Sequence, residues 1–224
     1  MILMITKKLL HFLKQIEQNN NKSWFDEHRE EYHIHKRNFR DFFDEFTGNA
    51  VMVDNNLTDS IWEWHIFRIN RDIRFSKNKN PYKPFMGGFI CPGWKHNKNI
   101  RARYYLHIEP WNSFIGWGAH MPEKAYLDAI RNRIWEKWDE LVDIISNPNF
   151  KKYYKILREW EALKTAPKWF PKDHKYIEFL RKKHITAISH LSDEQVLSED
   201  IHDLLSERIK ALKPLNDWLN SIYI

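Results

Sequence analysis

Cysteine is almost missing from this chain. Cys91 is the only one in 224 residues, so no disulfide can form within it. Zinc ribbons and zinc fingers would lack their thiolates, and a reducing, cytoplasmic setting is the simplest expectation. Glycine and proline are scarce too, with 6 and 9 copies, and they cluster between residues 81 and 122. No apolar run approaches the roughly 18 residues that a membrane helix needs, and mean hydropathy is −0.69. The Met1–Leu13 stretch carries two lysines but neither a long apolar core nor a small-residue cleavage site, so it does not read as a signal peptide. The phosphate loop G-x-x-x-x-G-K-[ST], the dinucleotide fingerprint G-x-G-x-x-G and the nucleophile elbow G-x-S-x-G are all absent. Gly116-Trp117-Gly118 is too short to be a phosphate loop alone. No repeat or low-complexity tract is visible.

Aromatic residues are abundant, at 15% with 11 Trp, and hydrophobic residues reach 42%. Disordered chains are poor in both. A chain of this length fits a single domain and buries about 70% of the surface its unfolded form exposes. Lys and Arg number 36 against 30 Asp and Glu, giving +6 and an isoelectric point near 9.2. That balance favours anionic partners, or describes a protein that is basic for solubility alone.

Periodicity divides the chain into helices around a strand-rich block. Leu9, Leu10, Leu13 and Ile16 give one apolar face, predicting a helix over Thr6–Gln18. Phe25, His28, Tyr32, His35, Phe39, Phe42 and Phe46 step by three and four, predicting a second over Ser23–Phe46, with Gly48 as terminator. Strands are predicted at Ile66–Phe75, Phe85–Cys91, Ala102–Glu109 and Ser113–Ala119, the last two as a hairpin. Leu127, Ile130, Ile134, Trp138, Leu141 and Ile145 predict one long helix ended by Asn147-Pro148. Shorter helices are expected at Phe150–Leu157 and Tyr176–Lys182, an edge strand at Ile185–Ser189, and a last helix at Ser198–Leu212 that Pro214 kinks or restarts. The fold expected is one α+β domain spanning residues 1–224. It has a helical part over 1–50, a strand-rich block over 60–120 forming a central antiparallel sheet, and a helical part over 122–224 flanking it.

One segment stands out. Between Arg68 and Lys83, sixteen residues hold six cations and one carboxylate. On a strand, Arg68, Asp72 and Arg74 share a face at about 7 Å intervals. Guanidinium forks at that spacing can grip a phosphate or carboxylate bidentately. Arg71 falls on the apolar side, where a cation needs a partner or a pocket. The loop after it adds Lys77, Lys79, Tyr82 and Lys83, with Pro81 and Pro84 to stiffen it. The alternative is an ion-pair ladder in which Asp72 bridges Arg68 and Arg74 and nothing binds.

His107 is the leading general acid or base, because it shares a strand face with Tyr105 and Glu109 and histidine titrates near neutrality. Asp72 is the second candidate for moving a proton. A surface histidine or one hydrogen-bonded for structure alone is the competing reading. His28 and His35 read as core histidines rather than metal ligands, and no metal site is expected. Cys91 would be a nucleophile only if something lowered its pKa. Trp62, Trp64, Trp94 and Trp111 could stack nucleic-acid bases if exposed, or fill the core.

The pattern Arg68-x-x-Arg71-Asp72-x-Arg74-Phe75-x-x-Asn78-Lys79-x-x-Tyr82 resembles the signature of a bacterial family known as domain of unknown function 2461. Trp24-Phe25-Asp26 with Arg29 and Tyr32, Tyr104-Tyr105-Leu106-His107, and the stretch from Pro167-Lys168 through Asp173-His174 to Leu180-Arg181 agree with it. The resemblance spans nearly the whole chain. It implies that Arg68, Arg71, Asp72, Arg74, Asn78, Lys79 and Tyr82 belong together, and it brings no activity. Trp117 departs from a glycine-rich run, and Trp169 and Lys175 replace small or proline residues, which weakens any glycine-based ligand contact.

The leading expectation is a cytoplasmic protein of unknown activity with an anion pocket. Arg68, Arg71, Arg74, Asn78, Lys79, Tyr82 and Lys83 would bind phosphate or carboxylate, and His107 or Asp72 would move a proton. A nucleic-acid-binding module and an interaction protein with a self-paired ladder are the alternatives. No membrane partner is expected, and no cofactor is indicated.

Overall fold

The computed structural model describes residues 3–62, 65–93, 95–154 and 162–222. The helices among them are α1 Lys7–Gln18, α2 Lys22–Glu27, α3 Arg29–Val53, α4 Lys124–Glu136, α5 Trp138–Ser146, α6 Pro148–Tyr153, α7 Ile177–Leu180, α8 Asp193–Val196 and α9 Ile201–Asn220. Short 3-10 turns occupy Asn55–Trp62 and Lys95–Asn99. The strands are β1 His65–Ile66, β2 Met86–Ile90, β3 Arg103–Ile108, β4 Ser113–Ala119 and β5 Ile185–Leu191. They pair in the order β1-β2-β3-β4-β5, antiparallel throughout. This is an α+β fold built on a single antiparallel sheet.

The first helix follows its apolar stripe: Thr6 caps it by accepting from the Leu9 N–H, and Leu9, Leu10, Phe12, Leu13 and Ile16 are buried. The helix predicted at 23–46 is two helices. It breaks at His28, whose Nδ1 lies 2.8 Å from the Trp24 carbonyl oxygen and whose ring stacks on Trp24. The second piece, α3, runs past Gly48 to Val53 because Thr47 before it and Ala50 beyond it are both buried. It ends at Asp54, a buried carboxylate that accepts from the Tyr104 hydroxyl at 2.8 Å and faces Lys213 Nζ at 3.4 Å. The long helix predicted around Leu127–Ile145 also breaks, at Lys137 (φ −135°, ψ 43°). Glu140 spans that break, accepting from Arg133, Lys137 and the Trp218 indole. Pro214 does not restart the last helix. α9 passes through it to Asn220 with Pro214 exposed, so the carbonyl it leaves unpaired is open to water. Of the helix expected at Phe150–Leu157, residues beyond Tyr154 lie outside the described residues.

The strand predicted at Ile66–Phe75 is the largest departure. Only His65 and Ile66 join the sheet. The chain then leaves β2 and folds back on itself, with Arg71 N–H donating to the Pro81 carbonyl and Lys83 N–H to the Ile69 carbonyl. Asn70 and Tyr82 form an isolated bridge there. Pro81 and Pro84 have no N–H to extend such a ladder. On the outer side of Tyr82 the Asn20 side chain takes the place of a strand, accepting from Tyr82 N–H at 2.9 Å and donating to its carbonyl at 3.0 Å. Residues 72–80 therefore form an arm beyond this paired base. Phe75, expected on an apolar face, is 96% exposed on it.

Both faces of the sheet are covered. Tyr104, Leu106, Ile108, Ile115 and Ala119 face the main core with α3 and α9. Phe89, Tyr105 and Phe114 form a smaller cluster on the opposite face, joined by Phe67 and Trp117. The alternation predicted for 102–109 holds residue for residue.

Candidate functional site

The second sheet face opens into a cavity of about 510 Å³. Tyr105, His107, Phe114 and Trp117 line it from β3 and β4. Arg71, Asn78, Asn80, Tyr82 and Lys83 line it from the arm and its base, Phe85 from the approach to β2, and Glu109 and Asn112 from the β3–β4 turn. Glu17 and Asn20 contribute from the end of α1.

Alternate positions on a strand share a face, and β3 uses this to string three polar groups together. The Tyr105 hydroxyl lies 2.8 Å from His107 Nδ1, and His107 Nε2 lies 3.1 Å from Glu109 Oε2. A carboxylate only accepts, so the Nε2–H donates to Glu109, which leaves Nδ1 to accept from the Tyr105 hydroxyl. Asn112 donates to the same Glu109 oxygen at 2.6 Å. Burial pushes the Glu109 carboxyl up, but hydrogen bonds from His107 and Asn112 outweigh it and leave its pKa below the ordinary value. Burial raises the Tyr105 pKa, and the nearby Glu109 charge adds to this. The phenol is therefore protonated at neutral pH. The imidazole is clamped between Phe114, stacked at 4.7 Å, and Phe85, at 4.2 Å.

Two backbone features make this arrangement fit. Gly87 pairs with His107, and a Cβ there would lie 2.8 Å from the Tyr105 hydroxyl and 2.9 Å from the Leu106 carbonyl oxygen. Only glycine leaves that hydroxyl room. Trp117 has φ +138°, a conformation that L-residues rarely adopt and that costs on the order of 1–3 kcal/mol. Strand parity assigns it to the side of Ile115 and Ala119. Its ring is instead edge-on to Tyr105 at 4.1 Å, and walls the cavity.

The cations are arranged differently from the sequence expectation. Arg71 and Lys83 line the cavity, and each donates to a backbone carbonyl, Asn80 at 3.2 Å and Arg68 at 2.6 Å. Neither forms an ion pair among the described residues. Burial depresses the Lys83 pKa, and the Arg68 and Arg71 charges depress it further. Asn78 and Tyr82 also reach the cavity, and Tyr82 is buried against Phe25 with rings stacked at 4.0 Å. Asp72 and Arg74 pair with each other on the surface, through contacts of 3.0 and 2.7 Å. Arg68, Asp72, Arg74 and Lys79 are exposed and are not among the lining residues, and Lys79 Nζ donates to the Ile73 carbonyl. The seven residues that the signature groups thus divide between a cavity set and an outer set. Tyr105 and Glu109 were legible as neighbours of His107. Phe85, Phe114, Trp117 and Asn20 carried no sequence signal toward the site.

Cys91 is buried, and burial lifts its pKa to about 12 despite Arg103 and Arg101, so it has no thiolate character. His28 bonds to Trp24, and His35 is buried against Phe12. Among the described residues no group of three His, Cys, Asp or Glu could hold a metal ion. No described helix is long and apolar enough to cross a membrane. Trp111 is 78% exposed on the β3–β4 turn; the side chain of Trp62 and all of Trp64 and Trp94 lie outside the described residues.

A family model of conserved hypothetical proteins, DUF2461, matches residues 8–218. The chain belongs to the DUF2461 family. No curated protein and no solved structure matches it. The DUF2461 match spans α1 through most of α9, and so contains every residue of the cavity.

Proposed function

We propose that this protein is a cytoplasmic binding protein for a small organic anion, a phosphate or carboxylate, taken into the cavity between the arm and the sheet. The observation that carries this reading is the pair of cations at the cavity wall. Arg71 and Lys83 sit beside Arg68 with no ion-pair partner among the described residues, and their charges crowd one another. Like charges gathered in a half-buried site are destabilising unless an anion joins them. The aromatic lining gives the remainder of the ligand an apolar surface, and a cavity of about 510 Å³ suits a molecule of metabolite size.

Tyr105, His107 and Glu109 add a capacity for proton transfer. Both ring nitrogens of His107 are engaged, so the imidazole acts through its neighbours. As the Tyr105 oxygen takes a proton from the ligand it would pass its own to Nδ1, so no phenolate forms, and the resulting imidazolium would be held by the Glu109 carboxylate. This supports acid–base chemistry on the bound anion, with Tyr105 as the group that meets it and His107 as the positioning residue.

A thermal-shift screen with phosphate, pyrophosphate, sugar phosphates, nucleotides and dicarboxylates tests the reading. A ligand at 100 times its dissociation constant stabilises by about 2.7 kcal/mol, which raises Tm by roughly 5–10 °C at this size. At least one class is expected to do so. If none does at millimolar concentration, the cavity is not an anion site.

A further inference from the structure

The cavity uses only part of the positive charge that the arm and its base carry. Residues 68–83 hold six cations and one carboxylate, a net +5 in a chain whose total is +6. Arg71 and Lys83 face the cavity, whereas Arg68, Arg74, Lys77 and Lys79 are exposed outside its lining. Phe75 stands among them, 96% exposed, with the Arg74 guanidinium 5.9 Å from its ring centroid. A lone exposed phenylalanine on a flat surface needs no explanation. This one lies on an arm of strong single-sign charge, with nearly all of its surface open to solvent.

We propose that the arm binds single-stranded nucleic acid, with Phe75 stacking a base and Arg68, Arg74, Lys77 and Lys79 neutralising phosphates on either side. Stacking on an exposed ring beside a cationic track is how sequence-tolerant single-strand binders work. The Asp72–Arg74 pair does not stand in the way. It is exposed, and such pairs contribute little, so a phosphate can displace the carboxylate. A lipid surface is disfavoured because one phenyl ring is a weak anchor. An acidic peptide would use the charges and leave the ring without a role. This surface is separate from the cavity and does not depend on a small anion occupying it.

The test is fluorescence anisotropy with a labelled 12-nucleotide oligo(dT) and the intact protein. Log affinity is expected to fall against log salt with a slope of about −2 to −3, the value for three or four neutralised phosphates on a single strand. Phe75→Ala should weaken the single strand about tenfold and leave Tm and the affinity for a 12-base-pair duplex unchanged. Asp72→Asn should tighten binding by freeing Arg74. The proposal is overturned if Phe75→Ala is silent on the single strand, or if polyglutamate or phosphatidylserine vesicles bind as tightly as oligo(dT). Failure here with a small anion still protecting the protein in the thermal screen removes the arm's role and leaves the cavity's. Oligonucleotide binding lost in Phe75→Ala, with no small anion protecting, does the reverse.

Discussion

Lys83→Met is expected to cut protection by the small anion to about half or less while leaving the unliganded protein folded. A hydrogen bond between charged partners contributes roughly 1.5–3 kcal/mol, so affinity should fall about 10- to 150-fold. Methionine keeps most of the side chain's length but removes the ammonium, which lies 5.2 Å from the Phe67 ring centroid and 5.9 Å from that of Phe85. The unliganded variant loses one hydrogen bond to the Arg68 carbonyl but also loses the crowding with Arg68 and Arg71. Its stability should therefore stay within about 1 kcal/mol of the native protein. The same lysine gives binding a pH dependence. Its folded pKa lies below that of an ordinary lysine, so between the two values the native state binds fewer protons than the unfolded chain. Stability from this group rises with pH across that window, and the cost of holding the charge is fully present below it. A bound anion favours the charged form, so affinity is lost as pH rises through the depressed value. Titrations across the alkaline range, native against Lys83→Met, read both effects. A pH profile unchanged by the substitution would place the anion elsewhere.

Gly116→Ala is expected to be strongly destabilising. Gly116 pairs with Ile188 on β5, and a Cβ there would run into the Ala187 carbonyl oxygen and come within 2.8 Å of the Ile188 Cα. Backbone atoms of a paired strand cannot step aside as a side chain does, so β5 must move off β4. Overpacking of this kind costs about 3 kcal/mol or more, a fall in Tm of roughly 6–12 °C. Gly48 is the contrast. It lies within α3, and an added Cβ meets nothing within 4 Å. Gly48→Ala should raise stability by about 0.5–1 kcal/mol. Thermal melts of the two variants check the pair together, and a tolerated Gly116→Ala would mean that β5 does not pack as described.

The sheet was legible where the residue pattern alternates cleanly. Tyr104, Leu106 and Ile108 against Tyr105, His107 and Glu109 told both the strand and its two faces. The pattern at Ile66–Phe75 alternates as well, but alternation reports a half-buried surface only if a neighbouring strand is present. Pro81 and Pro84 remove the donors such a neighbour would need, so the segment became a paired base and an exposed arm. Helix breaks at His28 and Lys137 were invisible because the apolar spacing continues across them, and the breaks are set by side chains: the His28 ring and the Glu140 network. The site was half legible. The cation-rich segment announced itself by composition, and His107 by its strand neighbours. Which cations face inward depends on the fold-back held by Asn20, 62 residues from Tyr82, and spacing carries no trace of that contact. Trp117 was opaque for a different reason, since its positive φ overrides the parity from which a side chain's face is read.

One cavity is lined by Arg71 and Lys83 and by the Tyr105–His107–Glu109 chain. The most direct measurement is the imidazole NMR signal of His107 during titration with the anion that gives the largest thermal shift. His202 serves as the internal reference, because it is buried against Phe42 with its Nε2 near the Leu3 carbonyl oxygen, away from the cavity lining. Saturable shifts are expected at His107, with His202 unmoved and the midpoint moved to about 10- to 150-fold higher anion in Lys83→Met. An anion that stabilises the protein but leaves the His107 resonances in place would contradict binding in this cavity.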